Sequence, residues 1–270
     1  MLGRRPAAYG LLPAAIFLAL AFGIPAVSLV RSAMGGSPVG LLRQLAEVWL
    51  EPHTRRALGN GLGLSIGVSA VAILLCLAPA RLLARVRFRG HTLVRVLLSL
   101  PLAFSGVIVG FLAIVMLGRV GVVPSLAAFL FGRPIGSGLA YAFPGLFLAY
   151  LFFEIPRAVL SLEAAFARLD PEIDAAARSL GAPAVQRLRR VTLPLLQPAL
   201  WATFATTFSV SLGSYGAALI LSRRFTVLPV EIYQEFTAFG NDAAAAAMAI
   251  WLALISLVVS WMASRVQTHA

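Results

Sequence analysis

Six stretches of this chain run 19 to 32 residues without a charged side chain: Leu11–Val30, Ala57–Ala80, Val96–Gly118, Ile135–Phe153, Val191–Ser222 and Ala243–Ser264. A helix needs about 20 predominantly apolar residues to cross the hydrocarbon of a bilayer, and a charge at that depth is costly. The runs are therefore read as six transmembrane helices in an all-α membrane protein. The fifth is longer than a span and must hold a non-spanning part. An even number of spans puts both termini on one side. The chain is 60% hydrophobic and 12% charged, against about 45–50% and about 25% in an average soluble domain, so lipid is the expected solvent.

The loops set the orientation, because cytoplasmic loops collect basic residues. Every basic residue is an arginine. Fourteen fall in one set of loops: Arg4 and Arg5, those between Arg81 and Arg95, those between Arg157 and Arg190, and Arg265. Eight fall in the other set, Arg55 and Arg56 among them. This bias puts both termini in the cytoplasm. It also accounts for the net charge of +12 without nucleic acid, since no basic face of a soluble domain can be drawn. Leu11–Val30 exceeds the apolar length of a signal peptide, about 7–15 residues, and reads as an uncleaved first helix. Leu41, Leu42, Leu45, Val48 and Trp49 then suggest a short interfacial helix on the outer side. The expected layout is residues 1–56 as a first helix with an outer segment, 57–264 as a five-helix core, and 265–270 as a cytoplasmic tail.

Small residues let helices approach in lipid. Gly59, Gly63 and Gly67, and likewise Gly106 and Gly110, recur every fourth residue and are expected at helix contacts. Pro101, Pro144 and Pro156 lie in or beside spans and are expected to bend or break helices. Glu154 stands at a span's end, and His53, His91 and His269 lie in loops or the tail. The spans thus offer no proton relay, no metal site and no clustered acids or histidines for a membrane-embedded enzyme. The lone Cys76 reads as a buried hydrophobe. No catalytic group and no cofactor is expected. A stand-alone carrier or channel needs coupling charges within its spans, so energy for any transport is expected from elsewhere.

The segment Ser161–Pro198 reads SLEAAFARLDPEIDAAARSLGAPAVQRLRRVTLPLLQP. Asp170, Pro171 and Glu172 form a helix start: an acid to cap free N–H groups, a proline at the first helical position, and early negative charge at the positive end of the dipole. Ile173, Ala176, Ala177 and Leu180 share a face. Gly181 suits the left-handed residue that ends helices. Pro183 then opens a second short helix carrying Val185, Leu188 and Val191 with Arg187 and Arg190. A helix, a glycine turn and a helix beneath the membrane can form a docking knob or lie as an amphipathic loop at the headgroups.

The run DAAARSLGAPAVQRLRRVTLPLLQP resembles the EAA loop of binding-protein-dependent ABC importer permeases. Ala176 and Ala177 match the alanine pair, Gly181 the glycine, and Val191, Leu193 and Pro194 the terminal aliphatic-x-Leu-Pro. Ala175 occupies the family's glutamate position, with Asp174 just before it. Asn60, Arg85 and Pro101 are also similar to the family, over roughly Ala57 to Trp261. Ser211-Leu212-Gly213-Ser214-Tyr215-Gly216 resembles the Leu-Gly-Glu-Phe-Gly run of polyamine, sulfate, molybdate, ferric iron and phosphonate permeases, with Ser214 in place of the acid.

The resemblance implies the type I importer permease fold, with a cytoplasmic helix-turn-helix coupling loop over 161–198. It implies a second permease subunit, identical or paralogous, a cytoplasmic ABC ATPase pair, and an extracytoplasmic solute-binding protein. ATPase coupling is expected from Asp170, Asp174, Ala175, Ala176, Ala177, Gly181, Leu193 and Pro194. The translocation path is expected to use Ser105, Thr206, Ser209, Ser211, Ser214 and Tyr215. Since the chain has no lysine, it holds no P-loop, and ATP hydrolysis is expected on the separate subunit. Glu231 and Glu235, one turn apart, are expected to face the binding protein.

Overall fold

The computed structural model of the protein describes residues 5–34, 38–134 and 136–268. Arg4 and His269 lie outside them. The described chain holds α1 (Arg5–Met34), α2 (Pro38–Leu50), α3 (Pro52–Arg85), α4 (His91–Ser99), α5 (Gly106–Leu117), α6 (Val122–Phe131) and α7 (Phe143–Arg168). Then come α8 (Pro171–Ser179), α9 (Ala184–Arg187), α10 (Leu193–Leu212), α11 (Gly216–Leu221), α12 (Leu228–Thr237) and α13 (Asp242–Thr268). No strand occurs among the described residues.

Five segments are long and apolar enough to cross a membrane: Pro13–Met34, Pro52–Arg85, Gly106–Phe131, Phe143–Arg168 and Asp242–Val266. The stretch expected as the fifth span, Val191–Ser222, holds α11 and, before it, α10, whose 20 residues are free of charge but which is not among those five. Its threonines explain why it can still sit in lipid. Thr203, Thr206 and Thr207 donate to the carbonyls of Ala199, Ala202 and Thr203, at 2.8, 2.8 and 2.9 Å, so their hydroxyls are satisfied within the helix.

The chain divides into two compact units. One comprises residues 1–55 and 231–253. Within it, the Trp251 indole donates to the Leu45 carbonyl at 3.2 Å and its ring lies 5.3 Å from that of Trp49. The expected interfacial helix is α2. Val48 is buried, while Leu42 is largely exposed, so the apolar face is narrower than the spacing of its residues suggests.

The second unit comprises residues 56–230 and 254–270. Its core is built on Leu64, Val68, Ala72, Cys76 and Ala80, one residue per turn of α3. Leu146, Ala149, Ala158, Leu162 and Phe166 of α7 pack into the same core. Gly106 and Gly110 do serve close packing. A Cβ on Gly106 would lie 3.1 Å from the Ala217 nitrogen, and one on Gly110 would lie 2.9 Å from the Ile220 Cβ. The α3 stripe behaves differently: only Gly67 meets a neighbour, Phe147, while Gly59 and Gly63 face open space in the described chain.

Prolines move two expected spans. Val96–Gly118 is interrupted at a 3-10 turn, Leu100–Ala103, with Pro101 in it. The helix restarts at Gly106, where the Ser105 hydroxyl accepts from the Ile108 N–H. The third span accordingly runs on to Phe131. The fourth, expected at Ile135–Phe153, begins only at Phe143, with Pro144 in the first turn, where its missing N–H costs nothing. This shift overturns one expectation outright. Glu154 is not at a span's end but eleven residues into α7, about 16 Å along it at ~1.5 Å per residue, and it is buried. Arg157 likewise lies within α7 rather than in the loop after it.

Candidate functional site

The 161–198 loop starts as its sequence requires. The Asp170 carboxylate accepts from the Glu172 N–H at 2.9 Å, and Pro171 takes the first position of α8. The helix ends on Gly181 at φ +77°. The Ala182 N–H reaches the Ala177 carbonyl at 3.2 Å, and the Gly181 N–H reaches that of Arg178 at 2.9 Å. That bond pair is the Schellman closure, which needs a residue tolerant of left-handed backbone.

The second half of the knob differs from expectation. Pro183 stands just before α9 rather than inside it, and α9 does not end. It passes through a wide π turn, Leu188–Thr192, directly into α10 at Leu193 and Pro194. Pro194 and Pro198 both lack the N–H that α10 would use, and a proline ring crowds the carbonyl four residues earlier; a wide turn relieves this. The knob is therefore one separate helix, α8, turned back against the base of α10.

What holds it there is Asp174. Its carboxylate lies 3.1 Å from the Arg187 guanidinium and 3.4 Å from those of Arg81 and Arg178. Burial pushes the Asp174 carboxyl up, but hydrogen bonding and charge from Arg187, with Arg81 and Arg178, outweigh it and hold it below the ordinary carboxylate range. At the same level Arg85 ends α3 and donates to the Leu169 carbonyl at 2.7 Å. Three apolar residues of the loop stay exposed, Ile173 at 42%, Val185 at 67% and Leu180 at 87%, while Leu188 and Val191 are half-buried. Ala175, Ala176 and Ala177 keep the backbone of α8 accessible beside them.

The six expected pathway residues separate. Ser105 is spent on its helix cap and Thr206 on its own helix. Ser209 lies 3.5 Å from the Ser260 hydroxyl. Tyr215 packs against the core at the start of α11. Only Ser211 and Ser214 meet, in a cavity of about 260 Å³ also lined by Tyr150, Glu154 and Arg157. There the Tyr150 hydroxyl donates to the Ser214 carbonyl at 2.6 Å, holding the break between α10 and α11. The Arg157 guanidinium donates to Glu154 at 2.8 Å. The charge-free run starts the span too early, so it does not single out Tyr150, Glu154 and Arg157. Pro144 as a first-turn proline is the signal that would find them.

On the other unit, Glu231 and Glu235 sit as spaced, with the His53 ring 3.5 and 3.8 Å from them. His53 belongs to the first turn of α3, not to a loop. Burial raises the Glu231 carboxyl above its ordinary range, with His53 opposing.

The sequence profile of the family described as "Binding-protein-dependent transport system inner membrane component" matches residues 72–269. The molybdenum transport system permease protein ModB of Escherichia coli (strain K12) is 32% identical over 212 residues, 74% of this chain and 91% of that one. A probable molybdenum ABC transporter permease of Haloferax volcanii is 33% identical over 174 residues, and the match covers 64% of this chain and 61% of the relative. The sulfate transport system permease protein CysT of Salmonella typhimurium is 30% identical over 187 residues, 68% of this chain and 66% of that one. The same fold occurs in the crystal structure of a bacterial alginate ABC transporter in complex with an alginate-pentasaccharide-bound periplasmic protein. Its TM-score is 0.79 at 20% identity, with 98% of this chain and 96% of that one covered. With the family profile spanning most of its length and its helices folded as in an ABC transporter, this chain belongs to the binding-protein-dependent transport system inner membrane components and is a multi-pass permease of an ABC importer of small solutes.

Proposed function

We propose that this permease imports a molybdate- or sulfate-type oxyanion, driven by ATP hydrolysed on a separate cytoplasmic subunit. The relatives named for molybdenum and sulfate support the solute class. The observation that carries the coupling is the α8 knob: a helix closed by Gly181, clasped through Asp174, with Leu180 left exposed. An apolar side chain on a short, well-fixed helix suits a hydrophobic cleft on a partner. ATPase closure would move α8, and the Asp174 clasp would pass that motion to α3 and α10 as a rigid-body shift.

In this reading Asp170 and Gly181 shape the knob, Asp174 fixes it, Ala175–Ala177 give it a smooth surface, and Leu193 and Pro194 join it to α10. Both termini and the 161–198 loop face the cytoplasm. A second permease copy or paralogue completes the path, residues 57–264 form the shared core, and a binding protein delivers solute from outside, near Glu231 and Glu235. Reconstitution with the ATPase and binding protein should give molybdate or sulfate uptake that stops without ATP. Uptake down a gradient without ATP would favour a stand-alone carrier instead.

A further inference from the structure

We infer that Arg157, tethered by Glu154, is the residue that contacts the anion in transit, and that the cavity it shares with Ser211 and Ser214 is a weak way station for a small tetrahedral oxyanion. This rests on the oxyanion reading above.

Depth comes first. About 20 residues cross the hydrocarbon, and α7 starts at Phe143. Glu154 and Arg157 therefore lie inside the span rather than at its edge. An ionisable residue at such depth is a functional candidate, because it is expensive to keep there.

A staple is the obvious alternative, and the geometry argues against it. The pair is three residues apart on a single helix. The ion pair itself lies within α7, and among the described residues the one neighbouring element its carboxylate meets is α10, at Ser211 beside the cavity. The two side chains are also unequal: that of Glu154 is 2% exposed and that of Arg157 is 29% exposed. Glu154 is the buried holder and Arg157 the presented group. Arginine carries five N–H donors in a planar fork, and the described side-chain hydrogen bond to Glu154 engages one nitrogen, Nη1. Arg157 is itself a lining residue of the cavity. Such a fork matches an oxyanion's paired oxygens.

The surroundings fit the same guest. The cavity of about 260 Å³ has room for a tetrahedral oxyanion with some of its water, at roughly 30 Å³ per water. The Ser211 hydroxyl is buried there without a protein hydrogen bond of good geometry, beside the Glu154 carboxylate. Glu154 also sets the strength. It neutralises Arg157, so an entering anion finds a donor fork without a net positive charge. A transport site has to bind well enough to be entered and weakly enough to be left.

The test turns on opposite signs. Sulfate and molybdate binding is measured by equilibrium dialysis on the purified permease–ATPase complex, and uptake is measured in proteoliposomes with saturating loaded binding protein. Arg157→Gln should weaken anion binding and cut maximal uptake at least tenfold. Arg157→Lys, which keeps the charge but not the fork, should fall between wild type and Arg157→Gln in both. Glu154→Gln should bind the anion several-fold more tightly yet release it more slowly, lowering maximal uptake. Leaving one buried ion alone can unfold a protein, so the double Glu154→Gln/Arg157→Gln variant is made as well. It should be recovered with the ATPase and lose anion binding. Parallel losses of binding in both single variants, or wild-type binding and uptake in Arg157→Gln or in the double variant, would overturn the inference. A wild-type complex that imports neither anion would instead sink the oxyanion reading itself.

Discussion

The Asp174 carboxylate accepts a hydrogen bond from the Arg187 guanidinium at 3.1 Å, joining the separate knob helix α8 to α9, which runs on through the π turn into α10. Arg81 at the end of α3 approaches the same carboxylate at 3.4 Å. One acid thereby links the loop to two long helices. In a family whose loop usually carries a glutamate at the position of Ala175, the acid here sits one residue earlier and is spent on the chain's own arginines. The apolar Ile173 and Leu180 remain exposed beside it.

Replacing Asp174 by Ala should loosen the knob without unfolding the protein. The clasp is partly exposed, and exposed ion pairs contribute only about 0.2–1 kcal/mol each. Membrane levels should stay near wild type while ATP-dependent uptake falls several-fold. Exchanging the charges, Asp174→Arg with Arg187→Asp, should restore part of the loss. Quantitative immunoblotting alongside uptake assays checks both.

The clasp should also resist mild acid. Asp174 is held below the ordinary carboxylate range, so its contribution is present above the unfolded value of about 3.9. It is lost only as pH falls through the lower folded value. Knob-dependent ATPase stimulation in the complex should therefore not decline between pH 7 and pH 5 on account of Asp174. Comparing the pH profiles of wild type and Asp174→Asn checks this: the ratio should stay flat across that window.

At Gly181 the constraint is conformational. A Cβ there meets nothing within 4 Å, yet φ is +77°. Gly181→Val should cost about 1–2 kcal/mol locally and abolish uptake while the protein stays in the membrane. Gly181→Asn, which tolerates this backbone, should retain most activity. At Gly110 the constraint is space. Gly110→Leu should lower the melting temperature in detergent, an overpacking cost of about 1–3 kcal/mol, whereas Gly63→Ala should leave it unchanged.

Local signals in the chain carry much of this architecture. Asp170-Pro171 and Gly181 form a code for starting and stopping a helix, and the chain obeys it. Gly106 and Gly110 are legible for the same reason, since spacing alone puts them on one face. Arg81 and Arg187 are not, because their meeting at Asp174 depends on how α3, α8 and α10 pack. Glu154 and Arg157 are misplaced by residue pattern alone because a charge-free run marks what a membrane tolerates, not where a helix begins. Gly136 and Gly138, both at positive φ, and Pro144 postpone α7 to Phe143, and that shift carries both charged residues into the span.

Docking of the exposed loop apolars should be separable from folding. Leu180 is 87% exposed, so Leu180→Glu should change stability by no more than about 0.5 kcal/mol. If Leu180 fills a cleft on the ATPase, the same change should reduce co-purification of the ATPase at least tenfold. A thermal melt and a pull-down on the same preparation check the pair of expectations.

The most direct measurement is site-specific cross-linking at the knob. With Cys76 replaced by Ser, a single cysteine placed at Ala176 is treated with a short bifunctional reagent in membranes containing the co-expressed ATPase, and in parallel with an impermeant thiol label added from outside. A cross-link to the ATPase with no labelling from outside is the predicted result. Labelling from outside, or no cross-link from any residue of α8 in a complex that is active in uptake, would contradict the account.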